Sequence, residues 1–183
     1  MRRAVLPREH LWRRQSVRVT TAAATAIRLA SLLPPDESVV AVDQLVATGA
    51  TELAEARMLA SSTRGAGSAR ARSAVARADG LAASPQETRL RLLIAGSRLP
   101  APVAQFAVRL DGRVIARVDF AWPGHKVALE YDGMWHAAPG QFAKDRRRLN
   151  DLTAAGWRVI FVTAVDLGRE AELFARLEAA LLS

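Results

Sequence analysis

The sequence predicts an α/β fold, with a mixed sheet that is preceded by a small helical segment. In the second half of the chain, helical patterns alternate with short apolar runs of strand length. Three of these runs follow one another, separated by the turn dipeptides Asp111-Gly112 and Pro123-Gly124. A later run, residues 157–163, is apolar at nearly every position, as expected of a central strand covered on both faces.

The first part of the chain, residues 1–80, predicts helices after an irregular lead-in that is rich in arginine. Thr21 is a candidate N-cap for the first helix and Asp36 for the second, while Thr51 starts the third. A fourth, alanine-rich helix runs up to Gly80. We find no internal repeat of convincing period.

The second part, residues 81–183, predicts the order α-β-β-β-α-β-α. Its first helix begins at Ser84-Pro85-Gln86-Glu87, where Ser is the N-cap, Pro the first residue and Glu the third. The predicted strands are residues 105–110, 113–121, 126–132 and 157–163, and the later helices are residues 141–155 and about 168–182. The helix of residues 141–155 is basic, and the strands would lie between helices in a sandwich.

Composition favours an anionic partner. The chain of 183 residues is half apolar, which allows a packed core, and it has 26 basic against 18 acidic residues, for a net charge of +8. Almost all of the basic residues are arginine, whose planar guanidinium suits phosphate. A GC-rich genome that encodes Arg and Ala throughout explains the same composition equally well.

The absence of cysteine and of long apolar segments excludes several classes of protein. Without cysteine the chain has no disulfide, no disulfide-linked partner and no thiolate zinc site. The longest apolar stretch, residues 20–33, contains Arg28 and is shorter than the roughly 20 residues of a membrane span. The basic start is followed by no apolar signal core, so we expect a cytoplasmic protein with no membrane partner.

Three carboxylates interrupt the predicted hairpin of residues 113–132. Glu130 and Asp132 lie two residues apart and therefore share one strand face. If the turn is centred on the Pro-Gly dipeptide, Asp119 lies opposite Ala128 and diagonal to Glu130, roughly 7–8 Å away at the backbone. Carboxylates crowded on one sheet face repel each other, and a hard cation such as Mg²⁺ removes the repulsion.

Six segments of the second part carry a resemblance to a known group of enzymes. The segments are SPQETRLR (84–91), RVDFAWP (117–123), VALEYDG (127–133), WH (135–136), DRRRL (145–149) and GWRVI (156–160). Through them, residues 84–167 resemble the PD-(D/E)XK nuclease superfamily, in the branch of the very short patch repair endonucleases and a related bacterial endonuclease-like family of unknown function. The resemblance covers about half of the chain and implies a restriction-endonuclease-like sandwich.

The resemblance implies a role for each acidic residue. Asp119 matches the metal-binding aspartate of the superfamily, and Glu130 the acidic residue of the next strand, with Mg²⁺ or Mn²⁺ as the ion. Asp132, in the place where the usual pattern has a lysine that orients or activates water, is expected as a third acidic residue at the metal. Glu87 matches a helix glutamate that helps complete the metal site. His136 matches an active-site histidine and could transfer protons.

Structural explanations exist for several of these residues. A capping box accounts for Glu87, and a hydrogen bond at a strand end accounts for His136. Arg117 could pair with Asp119 from the same strand face. Lys126 shares the face of Glu130 and could replace the missing lysine, although its place beside the turn favours a surface role.

A basic edge is predicted on the helix that follows the hairpin. Lys144, Arg147 and Arg148 lie at i, i+3 and i+4, so they line one side of the helix and suit contact with DNA phosphates. Asp145 and Asp151 could instead tie these residues into surface ion pairs, which are worth little.

The predicted function is a Mg²⁺-dependent DNA endonuclease, acting in DNA repair or in defence against foreign DNA. Residues 1–80 resemble a helical segment of longer family members that also carry a winged-helix domain like that of abortive-infection antitoxins. That domain has no match here, so the chain is either a short form or lacks its true start. One alternative is an inactive DNA-binding regulator or antitoxin on a nuclease scaffold, and a second is an RNA nuclease. Oligomeric state is left open.

Overall fold

The fold was determined as a computed structural model, which describes residues 7–133 and 141–182. Within these residues the protein is α/β, with eight α-helices, a mixed sheet of four strands and a separate antiparallel pair. The chain divides into two compact units, residues 1–88 and 89–183. The predicted boundary after residue 80 lies in the loop that precedes the helix spanning this division.

The first unit contains the four predicted helices, α1 to α4. Their bounds are Ala22–Leu32, Pro35–Ala47, Leu53–Ser62 and Ser68–Arg77. Thr21 caps α1 as predicted, because its side chain accepts a hydrogen bond from the backbone N–H of Ala24 at 3.2 Å. Small side chains fill the interior of this unit; Ala26, Ala30 and Val39 are fully buried. Such side chains allow helix backbones to approach closely.

The prediction of an irregular segment before α1 is wrong, because this segment contains a β-ribbon. Strand β1 (Leu11–Arg14) pairs antiparallel with β2 (Val17–Thr20). The connecting residues Gln15 and Ser16 have φ of 46° and 67°, the positive values of a two-residue type I′ turn. Such turns favour Asn and Gly, and neither occurs here, so the sequence carried no turn signal.

A buried aspartate joins α2 to the end of the first unit. Asp43 is fully buried. Its Oδ1 accepts from the backbone N–H groups of Asp79 (3.0 Å) and Gly80 (2.9 Å), and its Oδ2 from the Thr88 hydroxyl (3.0 Å). Gly80 is required here, because φ is +68° and a Cβ would lie 2.5 Å from the side chain of Val46.

The second unit contains the mixed sheet and the predicted order of elements. Helix α5 (Pro85–Ala95) leads into strands β3 (Val103–Leu110), β4 (Arg113–Trp122) and β5 (Val127–Tyr131), which pair antiparallel in this order. Helix α6 (Gln141–Ala154) then crosses to β6 (Arg158–Val162), which pairs parallel with β5. The predicted closing helix is preceded by an extra short one, so the chain ends with α7 (Ala164–Leu167) and α8 (Glu170–Leu182).

Helices cover both faces of this sheet. On one face Phe120, Leu129 and Val162 belong to a buried cluster with Leu90 of α5 and Leu177 of α8. A second cluster contains Ala121 of β4, Ala128 of β5 and Leu152 of α6. Since α6 packs on β4 and β6, the two alanines make room for it. No helix in the described part of the chain is long and apolar enough to cross a bilayer.

Candidate functional site

The turn between β4 and β5 places the two central carboxylates directly across from each other. It is a 3₁₀ turn over Pro123–His125, followed by Lys126 at φ 50°, and it pairs Phe120 with Leu129. Continuing this register, Asp119 lies opposite Glu130. The predicted diagonal arrangement is therefore wrong by two residues, because the turn is longer than a Pro-Gly dipeptide. A shift of two residues keeps the strand face unchanged, so the two carboxylates still share it.

Asp119 is partly buried in the second unit and is held by neighbours on both sides. Its Oδ2 accepts the backbone N–H of Tyr131 at 2.8 Å, and the side chain of Gln105 on β3 forms a second hydrogen bond. Burial raises the pKa of Asp119 above its ordinary value, while the bond from Tyr131, the charge of Arg148 and the bond from Gln105 oppose the rise.

Glu130 forms a two-point ion pair with Arg148 of α6. The guanidinium Nη2 lies 2.7 Å from Oε1 and Nη1 lies 2.8 Å from Oε2, an arrangement that adds geometric specificity to the charge. Nη2 also donates to the backbone carbonyl of Arg117 at 2.7 Å. Burial raises the pKa of Glu130; Arg148 opposes the rise, whereas the negative charges of Asp119 and Asp145 add to it.

Arg117 does not take the role of ion partner that the sequence suggested for it. Its Nη1 donates to the backbone carbonyl of Gln105 at 3.3 Å, whereas Arg148 brings the positive charge to the carboxylate pair. Arg148 lies one turn before the fully buried Leu152 of α6, at i and i+4. Since residues at i and i+4 share one side of a helix, Arg148 lies on the side of α6 that packs on the sheet.

A cavity of about 380 Å³ opens beside Glu130. Its lining combines charged side chains of α6 with the ends of β5 and β6, namely Glu130, Tyr131, Asp132, Asp145, Arg146, Arg148, Leu149 and Phe161. Asp132 follows the end of β5 and is exposed, and its backbone N–H donates to the carbonyl of Val162 at 2.7 Å. The structure therefore places Asp132 at the edge of the same cavity, and it adds Asp145, which the sequence analysis treated only as a surface partner.

Lys126 lies at the opposite end of β5. Its Nζ donates to the carbonyl of Ala155, just past α6, at 3.1 Å. A cation at this position complements the carbonyl end of the helix. The structure therefore gives Lys126 a helix-end role, and it does not line the cavity beside Glu130.

The predicted basic edge of α6 divides in two. Lys144 and Arg147 are exposed, whereas Arg148 is bound to Glu130. Arg146, which lies outside the predicted basic edge, lines the cavity. An anion that approaches α6 therefore meets exposed basic side chains, whereas Arg148 can bind it fully only after leaving Glu130.

Glu87 lies in the first unit and caps α5. Its Oε2 accepts the backbone N–H of Ala83 (2.9 Å), its Oε1 accepts the Ser84 hydroxyl (2.9 Å), and its own N–H donates to Ser84 Oγ (3.2 Å). These bonds account for its burial, as the capping box predicted. Its metal-supporting role stays a prediction. His136, and with it the Trp135-His136 segment, lies outside the described residues.

The carboxylate pair fits the donor preference of a small divalent ion. Within residues 7–133 and 141–182, no group of three or more His, Asp or Glu side chains is arranged to hold a metal. Mg²⁺, however, is usually bound through one or two carboxylates, with waters and substrate phosphates completing its shell. Asp119 and Glu130 supply two. Because Arg148 binds both oxygens of Glu130, its guanidinium competes with an ion for this carboxylate.

Comparison with known proteins identifies relatives without a described activity. The chain is 32% identical over 160 residues to uncharacterized proteins from two strains of Mycobacterium tuberculosis, CDC 1551 / Oshkosh and ATCC 25618 / H37Rv. The match covers 86% of this chain and 59% of each relative, so the chain spans little more than half their length. No protein-family description matches the sequence. No solved structure matches it.

Proposed function

We propose that the second unit hydrolyses phosphodiester bonds in DNA, as a PD-(D/E)XK-type endonuclease that uses Mg²⁺ or Mn²⁺ between Asp119 and Glu130. The observation that carries the proposal is the placement of these two carboxylates across from each other, with Glu130 beside a cavity bordered by arginines. The order of helices and strands around the sheet agrees with the restriction-endonuclease-like arrangement expected from the resemblance.

The local charge balance supports a cation at this position. Asp119 and Glu130 are both partly buried, and each is surrounded by protein that disfavours its charged form. Arg148 supplies one positive charge to the two carboxylates, and Asp145 adds a further negative charge nearby. The two carboxylates carry two negative charges, and one arginine balances only one of them. A divalent ion balances both, so a pair of acids on one strand face favours a metal site.

The residues around the pair then have separable roles. A bound ion would lower the pKa of a coordinated water and neutralise charge on the phosphate. Asp119 and Glu130 would hold it, and Arg148, released from Glu130, would bind the phosphate with its planar guanidinium. Asp132 would contribute a further carboxylate at the cavity edge, and His136 is the candidate for proton transfer.

The phosphate-binding residues of this proposal lie along the first half of α6. Lys144 and Arg147 are exposed there, and Arg146 reaches the cavity. Contacts of this kind position a nucleic acid without reading its sequence. We therefore expect binding that weakens steeply with salt and shows little base preference.

Three observations favour the alternative, a DNA-binding regulator without catalysis. Arg148 already satisfies both oxygens of Glu130, and the lysine expected at position 132 is replaced by Asp132, while Lys126 is engaged at the end of α6. A protein that has lost its metal would keep such an internal ion pair. The alternative predicts salt-dependent DNA binding with no stabilisation by Mg²⁺ or Mn²⁺.

Plasmid nicking tests the proposed activity. In Mg²⁺ or Mn²⁺, the wild type should convert supercoiled DNA to the nicked form. Asp119→Ala and Glu130→Ala should abolish this conversion, because each removes a metal-binding carboxylate, and Asp119→Asn and Glu130→Gln should do so with less change in volume. Asp111→Asn is the matched control: this exposed turn carboxylate has φ 49°, a conformation that Asn also tolerates.

Two results would reject the proposal. Equal nicking by the wild type and by the Asp119 and Glu130 variants would place the activity elsewhere or in a contaminant. No nicking together with no rise of the melting temperature in Mn²⁺ would favour the regulator. Digestion of matched DNA and RNA substrates decides between the deoxyribonuclease and the ribonuclease.

A further inference from the structure

The β1–β2 ribbon of the first unit is exposed on both faces. Apart from its terminal pair, Leu11 and Thr20, every residue of the two strands is exposed. An isolated two-stranded hairpin is at best marginally stable in water, since neither face is packed. The ribbon is anchored at its base, where the N–H of Thr21 donates to the carbonyl of His10 at 2.9 Å. Packing within the unit therefore does not explain why its outer residues are apolar and basic.

One face of the ribbon carries two arginines directly across from each other. Arg13 pairs in register with Arg18, and both are exposed. Like charges at facing positions of an antiparallel pair are destabilising. In the part of the chain that the structure describes, no carboxylate forms an ion pair with either guanidinium. An anion between them would relieve the repulsion, and a phosphate matches the donor geometry of arginine.

The other face carries an aromatic side chain beside a third arginine. Trp12 is 73% exposed and lies across from Val19, and Arg14 lies across from Val17. Val17 is itself 62% exposed. An exposed indole flanked by valines and a cation is the combination that binds unstacked bases, because stacking on an aromatic ring requires a free base face and the adjacent phosphate requires a positive charge.

We propose that the β1–β2 ribbon is a binding site for single-stranded DNA. Trp12 stacks on an unpaired base, Arg14 binds a phosphate on the same face, and Arg13 and Arg18 hold a phosphate on the other. The strand is single because a base within a duplex offers no free face to Trp12. This site consists of different residues from the carboxylate pair and does not depend on a metal.

Fluorescence anisotropy of the intact chain tests the proposal. Labelled single-stranded oligonucleotides and matched duplexes are titrated in EDTA, so that no cleavage occurs. Arg13→Gln/Arg18→Gln should weaken single-strand binding at least about 10-fold and reduce the slope of log affinity against log salt by about 0.7, the value for the one phosphate that the two arginines share. Trp12→Ala should weaken it about 10-fold, whereas Trp12→Phe should stay close to the wild type, because the ring still stacks.

The control variant removes the same charge from the helices of the first unit. Arg28 and Arg72 are exposed on α1 and α4, so Arg28→Gln/Arg72→Gln changes net charge by the same amount. It should alter affinity less than about 3-fold, and circular dichroism establishes that all variants are folded. Equal loss in both double variants, no loss in Trp12→Ala, or a loss of duplex affinity in the ribbon variants as large as their loss of single-strand affinity would overturn the proposal. So would Trp12-dependent binding to anionic lipid vesicles that matches the DNA affinity.

The result is separable from the proposed nuclease activity. Glu130→Gln should lose nicking yet bind the single strand as tightly as the wild type. If the wild type nicks plasmid DNA but the ribbon variants bind normally, the ribbon proposal fails and the nuclease stands. If the ribbon variants lose binding and neither the wild type nor any variant nicks plasmid DNA, the ribbon proposal stands and the nuclease proposal fails.

Discussion

A buried carboxylate in the first unit and a partly buried one in the second have partners of different kinds. Asp43 in the first unit is bound by two backbone N–H groups and one hydroxyl, all at 2.9–3.0 Å. Glu130 in the second unit is bound by one long side chain, Arg148, next to a cavity. Backbone donors cannot leave without unfolding the segment, whereas a guanidinium can move away by rotating its side chain. Asp43 therefore stabilises the fold of the first unit, whereas Glu130 can exchange Arg148 for another partner.

The comparison predicts its largest effect at Asp43. Asp43→Ala leaves buried donors without an acceptor, so we expect a loss of about 3 kcal/mol in the free energy of unfolding. Urea unfolding followed by circular dichroism measures it. Asp36→Ala is the control, because Asp36 pairs with Arg77 at the surface and should change stability by less than about 1 kcal/mol. Similar losses in both variants would refute a special role for Asp43.

The second prediction concerns exchange of the partner of Glu130. Arg148→Met removes the cation that competes with a metal, so we expect Mn²⁺ to bind about 10-fold more tightly, which corresponds to about 1.4 kcal/mol. Isothermal titration calorimetry with MnCl₂ measures the affinity. Arg169→Met, which breaks a surface pair with Glu172, serves as control and should leave it unchanged. Weaker Mn²⁺ binding in Arg148→Met would mean that the arginine supports the site and does not compete for it.

The third prediction is a dependence of stability on pH. Burial raises the pKa of Asp119 and Glu130 above 3.8 and 4.5, their ordinary values. The folded state therefore binds more protons than the unfolded state just above these values, and metal-free stability falls as pH rises through the raised pKa values. Melting temperatures in EDTA from about pH 4 to about pH 7.5 should show this fall. Asp119→Asn should flatten it; an unchanged slope in that variant would contradict the assignment.

The smallest effect is expected at Lys126. Lys126→Met removes a single bond to the end of α6 and should cost about 0.5 kcal/mol of stability. It should leave plasmid nicking unchanged, because the side chain does not reach the cavity. A strong loss of nicking without a loss of stability would instead identify Lys126 as the substitute for the missing lysine.

Sequence periodicity was sufficient for the order of the longer helices and of the sheet strands, but not for the register of those strands. Alternating apolar residues and the Ser84-Pro85 helix start marked α5 and the strands, because these signals are local. The opposition of Asp119 and Glu130 depends on a 3₁₀ turn and on Lys126 at positive φ, and no residue preference announces that conformation at a lysine. The ribbon at Gln15-Ser16 was missed for the same reason.

The partner of Glu130 was missed for a different reason. Arg148 was grouped with Lys144 and Arg147 by helical spacing, which describes one helix without the sheet beneath it. Only the packing of Leu152 against the sheet fixes which side of α6 faces inward. Such contacts exist only in the assembled fold. Arg148 lies four residues after the exposed Lys144 and four residues before the buried Leu152, so helical spacing alone could not assign it to either environment.

Two interactions of different kinds connect helix α6 with strand β5 and the residue before it, a hydrogen bond to a backbone carbonyl and an ion pair between side chains. Near its C-terminal end, Lys126 binds the carbonyl of Ala155, and Leu152 is fully buried. Nearer its start, the fastening is the ion pair of Arg148 with Glu130, which added salt, a metal or a phosphate can break. The ion pair therefore couples the occupancy of the carboxylate site to the half of α6 that also carries Lys144 and Arg147.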